Sequence, residues 1–262
     1  MGLAPPIASI VGSFMQVHFG WQAAFYIAVT FGVCALALVA TQLTETNKRL
    51  DPTALDFMVM LANARLLLRH RGFLVNTATL SLCMGGLSAW LSGSSFVIIG
   101  LYGVPPEYFG FFFGMVAVGY IGGMMTAGRL TMRFGLLRML DAGTALAALA
   151  ALLMIVPALL GFDHLALIIA PTVLYICSLG ILMPQAQARA LTPFPNIAGA
   201  ASALMGFLQS LFSAAVGFLV GYLLTGSQTA LPMVLVVGGC GLAGFAIHRL
   251  ANRTEALPAA AD

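Results

Sequence analysis

Charge is what this chain has least of: eleven Lys and Arg and eight Asp and Glu make up 7% of its 262 residues. A soluble domain carries about 25%. With 61% hydrophobic residues and a mean hydropathy of +1.02, no soluble fold of this length could hide so much apolar surface. Acidic residues are missing from the middle of every apolar run. Glu45, Asp51, Asp56, Glu107, Asp141, Asp163, Glu255 and Asp262 all lie in gaps or at run ends, so no carboxylate sits deep enough to be an obvious proton relay. The four cysteines, Cys34, Cys83, Cys177 and Cys240, fall in different runs without CxxC spacing. That supports neither a disulfide framework nor a metal site and predicts small buried hydrophobes. His18, His70, His164 and His248 are scattered at run ends without ligand spacing and read as interfacial side chains. No Ser-His-Asp set, HExxH, phosphate-binding Gly-rich loop or acid pair occurs, so an enzyme is unsupported and no cofactor is implied. The net charge of +3 is no nucleic-acid footprint, because the basic residues flank apolar runs instead of sharing a face or arm. Met1 is not followed by a basic n-region, so no signal peptide is read there.

What is present is long apolar runs with their basic residues in every second gap. Lys48, Arg49, Arg65, Arg69 and Arg71 share one gap; Arg129, Arg133 and Arg138 the next such gap; then Arg189; then Arg249 and Arg253. The gaps between, around 18–20, 102–106, 161–164 and 225–229, hold none. This is the positive-inside pattern of a multi-pass membrane protein. A spanning helix needs about 20 apolar residues, and eight candidates fit: 2–17, 22–43, 73–96, 108–128, 139–160, 165–188, 199–224 and 230–248. The fold class is therefore all-α and polytopic, with the basic gaps and the tail 251–262 cytoplasmic. The long gap has a helix start at Asp51-Pro52-Thr53, followed by Leu55, Met58, Val59, Leu61, Ala62, Leu66 and Leu67 at helical spacing. This predicts an amphipathic helix along the inner leaflet or a partly helical polar linker. Either divides the chain into two spans before it and six after.

Small residues form rows at helical spacing. The third span has Thr77, Ser81, Gly85, Ser88, Ser92 and Ser95; the seventh has Gly199, Ala203, Gly206, Ser210, Ser213, Gly217 and Gly221; the fourth has Gly110, Gly114, Gly119 and Gly123. Such rows let helix backbones approach closely in lipid or line a cavity between moving helices. Mid-span polar groups are few: Gln209 in the seventh span, Tyr175 with Gln185 and Gln187 in the sixth, Asn76 and Trp90 in the third. An amide in hydrocarbon must be paired or face water. Gln209 is open between interhelical bonding and cavity lining, and Trp90 between a packing aromatic and a ligand contact. Pro171 and Pro184 are expected to bend the sixth span.

Several segments resemble the major facilitator superfamily, and within it the Bcr/CflA group of multidrug-resistance transporters. Ala190-Leu-Thr-Pro-Phe-Pro-Asn-Ile-Ala-Gly-Ala-Ala-Ser-Ala-Leu-Met-Gly-Phe-Leu-Gln209 resembles that group's stretch from the tenth-to-eleventh loop into the eleventh span. Thr229-Ala-Leu-Pro-Met233 opens the last span in the same way. Gly128-Arg-Leu-Thr-Met-Arg-Phe-Gly135 is similar to the superfamily's G-x-L-x-D-R-x-G loop, with Met132 at the acidic position. Leu3-Ala-Pro-Pro-Ile-Ala-Ser-Ile-Val-Gly-Ser13 followed by Gly20-Trp-Gln-Ala-Ala-Phe25 resembles the fifth-span antiporter motif, with Ser9, Ser13 and Gln22 as departures.

The resemblance implies that the eight spans correspond to the fifth through twelfth of a twelve-span carrier, with four spans lacking in front. Residues 1–46 would be the last two spans of the first bundle, 47–72 a cytoplasmic amphipathic linker, 73–250 the six-helix second bundle and 251–262 a cytoplasmic tail. It further implies a drug:proton antiporter in the inner membrane, exporting small amphipathic, drug-like compounds by alternating access, with protons as coupling ion and the lipid bilayer as surroundings. A chain lacking four spans would be inactive alone; the alternative is a non-transporting remnant or association partner. Substrate contacts are expected from Gln209, Tyr175, Asn76, Trp90 and Met205. Motif or gating roles are expected from Pro5, Pro6, Gly12, Gly128, Arg129, Arg133 and Gly135.

Overall fold

The computed structural model describes residues 19–20, 22–42, 56–162 and 164–256, except the side chains of Ala24 and 253–256. Eight α-helices account for nearly all of them, with no strand among the described residues. They are α1 (Gln22–Gln42), α2 (Phe57–Arg69), α3 (Arg71–Ser95), α4 (Pro106–Phe134), α5 (Leu136–Leu159), α6 (Leu165–Leu191), α7 (Ala198–Leu224) and α8 (Leu231–Ala256). All except α2 are long and apolar enough to cross a membrane. The chain is thus an all-α, multi-pass membrane protein. The span expected at 2–17 and the helix start expected at Asp51-Pro52-Thr53 lie outside the described residues.

Local chemistry sets the helix ends. Asp56 caps α2, its carboxylate accepting from Met58 N at 2.9 Å, which satisfies one of the orphan amides of the first turn. His70 and His164 do the same for α3 and α6, each accepting at Nδ1 from Phe73 N (3.2 Å) and Ala166 N (3.3 Å). Pro106 opens α4 where no N–H is required. Gly135 separates α4 from α5 at φ +81°, a backbone angle that a Cβ would strain. The helices overrun the expected spans at their basic ends: α4 continues past Gly128 to Phe134 and α8 past His248 to Ala256. Hydropathy marks where apolar residues stop, whereas a helix stops where its capping chemistry is. Beyond Ser95 the chain loosens into a π-helical stretch, Phe96–Leu101, a wider turn seldom found in long runs.

α3 and α6 are the inner helices. α3 packs on α6, α7 and α8; α6 packs on α3, α4 and α5; α5 and α8 meet each other. Exchanging α3, α4, α5 for α6, α7, α8 in order returns the same main neighbours. Three crossings is an odd number, so two successive triplets enter the membrane from opposite sides, which makes this an inverted repeat of the kind found in carriers.

Glycine sets the closest approaches. A Cβ at Gly119 would come within 2.7 Å of the Val173 carbonyl; one at Gly123 would strike the Cys177 carbonyl, and one at Gly180 would lie 2.8 Å from Met124 N. These three glycines bring α4 and α6 together backbone to backbone, the attraction available where lipid removes any hydrophobic gain. On the symmetry-related face, Gly85 of α3 sits under Phe212 and Val216 of α7, and Gly217 of α7 lies against Ser92. The third-span row is therefore a helix contact there. Of the seventh-span row, Gly199, Gly206 and Gly221 face open space.

Two expectations are corrected. Cys83 and Cys240 are buried and Cys177 is half-buried, but Cys34 is exposed, because α1 buries none of its apolar length against the other described helices. His248 is not interfacial but wholly buried, since the carboxylate of Asp141 on α5 partners it inside the α5–α8 contact.

Candidate functional site

α3, α4 and α6 together line a cavity of about 320 Å³, at the lower end of the range for small-molecule pockets. α3 supplies Met84, Leu87, Trp90 and Leu91; α4 supplies Phe113, Val116, Ala117 and Tyr120; α6 supplies Ile176, Leu179 and Met183. Each set recurs every three or four residues, so one face of each helix turns inward. The α4–α6 glycine crossing lies beside it, with Gly119, Gly123 and Gly180 holding the two helices at fixed separation. The lining is aliphatic, aromatic and thioether. Among the described residues its side-chain polar groups are two donors: the Trp90 indole N–H, buried without a hydrogen-bond partner there, and the Tyr120 hydroxyl, which donates to Met183 Sδ at 3.6 Å. A thioether is a weak acceptor. Among the described residues no charged one lines the cavity.

Of the substrate residues expected from sequence, Trp90 lines this cavity and the others do not. Tyr175 lies wholly buried in the core, where its hydroxyl donates to the Cys83 carbonyl at 2.9 Å, over the space that Gly86 leaves open. Asn76 is buried near the start of α3; its Nδ2 donates to the Gly72 carbonyl at 2.7 Å, and its Oδ1 has no partner among the described residues. Met205 is buried on α7. Gln209, one turn further along, is half-buried with its Nε2 unpartnered among the described residues. Gln185 donates from Nε2 to Thr131 Oγ1 at 2.7 Å and ties α6 to α4.

Among the motif residues, Gly128 meets open space. Arg129 and Arg133 are exposed, the Arg133 guanidinium 5.6 Å from the centre of the Phe134 ring. Gly135 makes the α4–α5 turn. Pro5, Pro6 and Gly12 lie outside the described residues. At the same basic end of the helices, His248 Nε2 stands 2.7 Å from Asp141 Oδ1, and Asn252 Nδ2 donates to the same oxygen at 3.3 Å. A carboxylate can only accept, so His248 donates from Nε2. No group of three or more potential ligands for a metal ion is found among the described residues.

Nothing in the sequence separated the cavity residues Met84, Phe113, Tyr120 and Met183 from lipid-facing ones, because both are apolar at helical period. The one usable signal was a Tyr and a Trp in mid-span, where each must find a partner for its polar atom.

The family model of the Major Facilitator Superfamily matches residues 1–217. A bicyclomycin resistance protein homolog of Haemophilus influenzae is 32% identical over 240 residues, covering 91% of this chain and 59% of the relative. An uncharacterized MFS-type transporter of Bacillus subtilis is 28% identical, covering 96% and 64%. Multidrug resistance protein D of Escherichia coli is 25% identical, covering 90% and 59%. The chain thus spans about three-fifths of the length of these relatives.

Proposed function

The chain belongs to the major facilitator superfamily, a family of transporters and not of enzymes, and from that premise we propose that it serves a carrier that exports small amphipathic compounds across the inner membrane. The group is the Bcr/CflA type, as the resistance proteins among its relatives support. The observation that carries the reading is the uncharged aromatic and Met-rich cavity of α3, α4 and α6. Flexible thioethers and flat rings adapt to ligands of different outline, which suits loose specificity. Transport proceeds by alternating access, with 73–250 moving as one bundle against 1–46 and its partners about the linker 47–72. Export is coupled to proton entry. The linker, the basic loops and the C-terminus are cytoplasmic, a reading that the basic gaps support. Gln209, Asn76 and Met205, on the inner halves of α3 and α7, are substrate contacts outside the cavity, whereas Tyr175 supports it from the core.

A second reading, a non-transporting association partner, is favoured by α1, whose exposed apolar length is available to another chain. Dye accumulation separates the two. In an efflux-deficient host, expression of the chain as part of a full-length carrier should lower accumulation of the neutral dye Nile Red, and collapsing the proton gradient should restore it. Accumulation equal to the empty-vector control, with co-purification of a second membrane protein, would support the partner reading and sink the export one.

A further inference from the structure

We infer that the cavity of α3, α4 and α6 selects uncharged aromatic compounds that bear a hydrogen-bond acceptor, through the Trp90 N–H and the Tyr120 O–H. This deepens the export reading and rests on it for the cavity being a ligand site. A buried indole N–H is normally hydrogen-bonded, and that of Trp90 is buried without a partner among the described residues, in a residue that lines the cavity. Tyr120 spends its proton on the Met183 sulfur at 3.6 Å, a bond readily exchanged for one to a carbonyl or sulfoxide oxygen. The described lining side chains offer no carboxylate, amide or hydroxyl acceptor other than the Tyr120 oxygen itself. A ligand that brings only donors gains little from this wall. A ligand cation would lose its water without a counter-charge, and the faces of Trp90, Phe113 and Tyr120 recover only part of that cost. An acceptor on two flat rings satisfies both donors and fills the apolar remainder.

The test uses the full chain in lipid nanodiscs and three two-ring probes of similar size. Benzophenone, a neutral carbonyl compound, is photolysed in place, and its insertion sites are mapped by mass spectrometry. Diphenyl sulfoxide (neutral, strong acceptor), diphenylmethane (neutral, no acceptor) and benzyldimethylphenylammonium (cationic, no acceptor) compete with it. Labelling is expected on the segments holding Met84 and Met183. Diphenyl sulfoxide should protect at about 3- to 10-fold lower concentration than diphenylmethane, the range of one neutral hydrogen bond, and the cation should protect least. Trp90→Phe should remove most of that difference while labelling continues. Equal protection by diphenyl sulfoxide and diphenylmethane, or best protection by the cation, overturns the inference and leaves the cavity as a ligand site. Labelling that misses both segments overturns the cavity reading itself. The competitor comparison is made on the unsubstituted chain, so it decides even if Trp90→Phe does not fold.

Discussion

Neighbouring glycines on α4 offer a sharp test of how the bundle is held. A methyl group at Gly123 would collide with the Cys177 carbonyl and lie 3.2 Å from the Cys177 Cα, whereas one at Gly122 meets nothing within 4 Å. The first obstacle is backbone, which no rotamer change can move. Gly123→Ala therefore pushes α4 off α6 or bends one of them. Overpacking of this kind costs about 1–3 kcal/mol. Gly122→Ala adds a methyl to an exposed surface and removes a glycine from a helix interior, a change of up to about 1 kcal/mol in the stabilising direction. For a chain of this size, 1 kcal/mol moves the unfolding midpoint by about 2–4 °C. Gly123→Ala should thus lower it by about 2–12 °C, while Gly122→Ala leaves it unchanged or raises it slightly. The assay is thermal unfolding in detergent, followed with a thiol-reactive fluorescent dye that reports exposure of the buried Cys83 and Cys240. Equal midpoints for the two variants would refute the backbone-to-backbone account of the α4–α6 crossing. The same collision should distort the adjoining cavity wall, so benzophenone labelling should fall in Gly123→Ala and persist in Gly122→Ala.

Asp141→Ala removes the acceptor of a wholly buried imidazole and should cost about 1–3 kcal/mol; an unchanged midpoint in the dye assay would show that the His248 contact contributes nothing. Tyr175→Phe gives up the bond to the Cys83 carbonyl and should lower stability by about 0.5–1.5 kcal/mol without altering ligand competition; altered competition at unchanged stability would make Tyr175 a ligand contact. Removing Nε2 donation with Gln185→Leu and its acceptor with Thr131→Val should show a coupling energy of about 1 kcal/mol in a double-mutant cycle, and additive effects would mean that the 2.7 Å bond does not tie the helices. A reporter fused after Asp262 should read as cytoplasmic and one inserted at Gly103 as external; the reverse would overturn the orientation taken from the basic gaps.

Tyr175 and His248 show where reading the chain in one dimension stops. The resemblance places Tyr175 at a substrate; in the structure its hydroxyl donates to a backbone carbonyl 92 residues away, a partner that the sequence does not mark. His248 was expected at the interface because it ends an apolar run; Asp141, 107 residues earlier, lets it be buried. Trp90 was legible as an informative aromatic, but Met84, Phe113 and Met183 carry no mark that distinguishes a cavity wall from a lipid contact. The fourth-span glycine row was legible as close packing at Gly119 and Gly123, and its partner, Gly180 with the Val173 and Cys177 carbonyls, was not.

From the sequence alone came the all-helical, multi-pass class, the positions of the seven described spans and the family, because hydropathy, span length and motif spacing are local properties that add along the chain. Tertiary structure alone decided which faces meet, that α3 and α6 lie inside, and that a donor-lined cavity opens between α3, α4 and α6. The reason lies in the solvent. In water an apolar face announces the core, but in hydrocarbon a Leu facing lipid and a Leu facing a helix have nearly the same transfer energy. The choice between them is made by shape, through close glycine contacts and a few long-range hydrogen bonds that exist only once the helices are side by side.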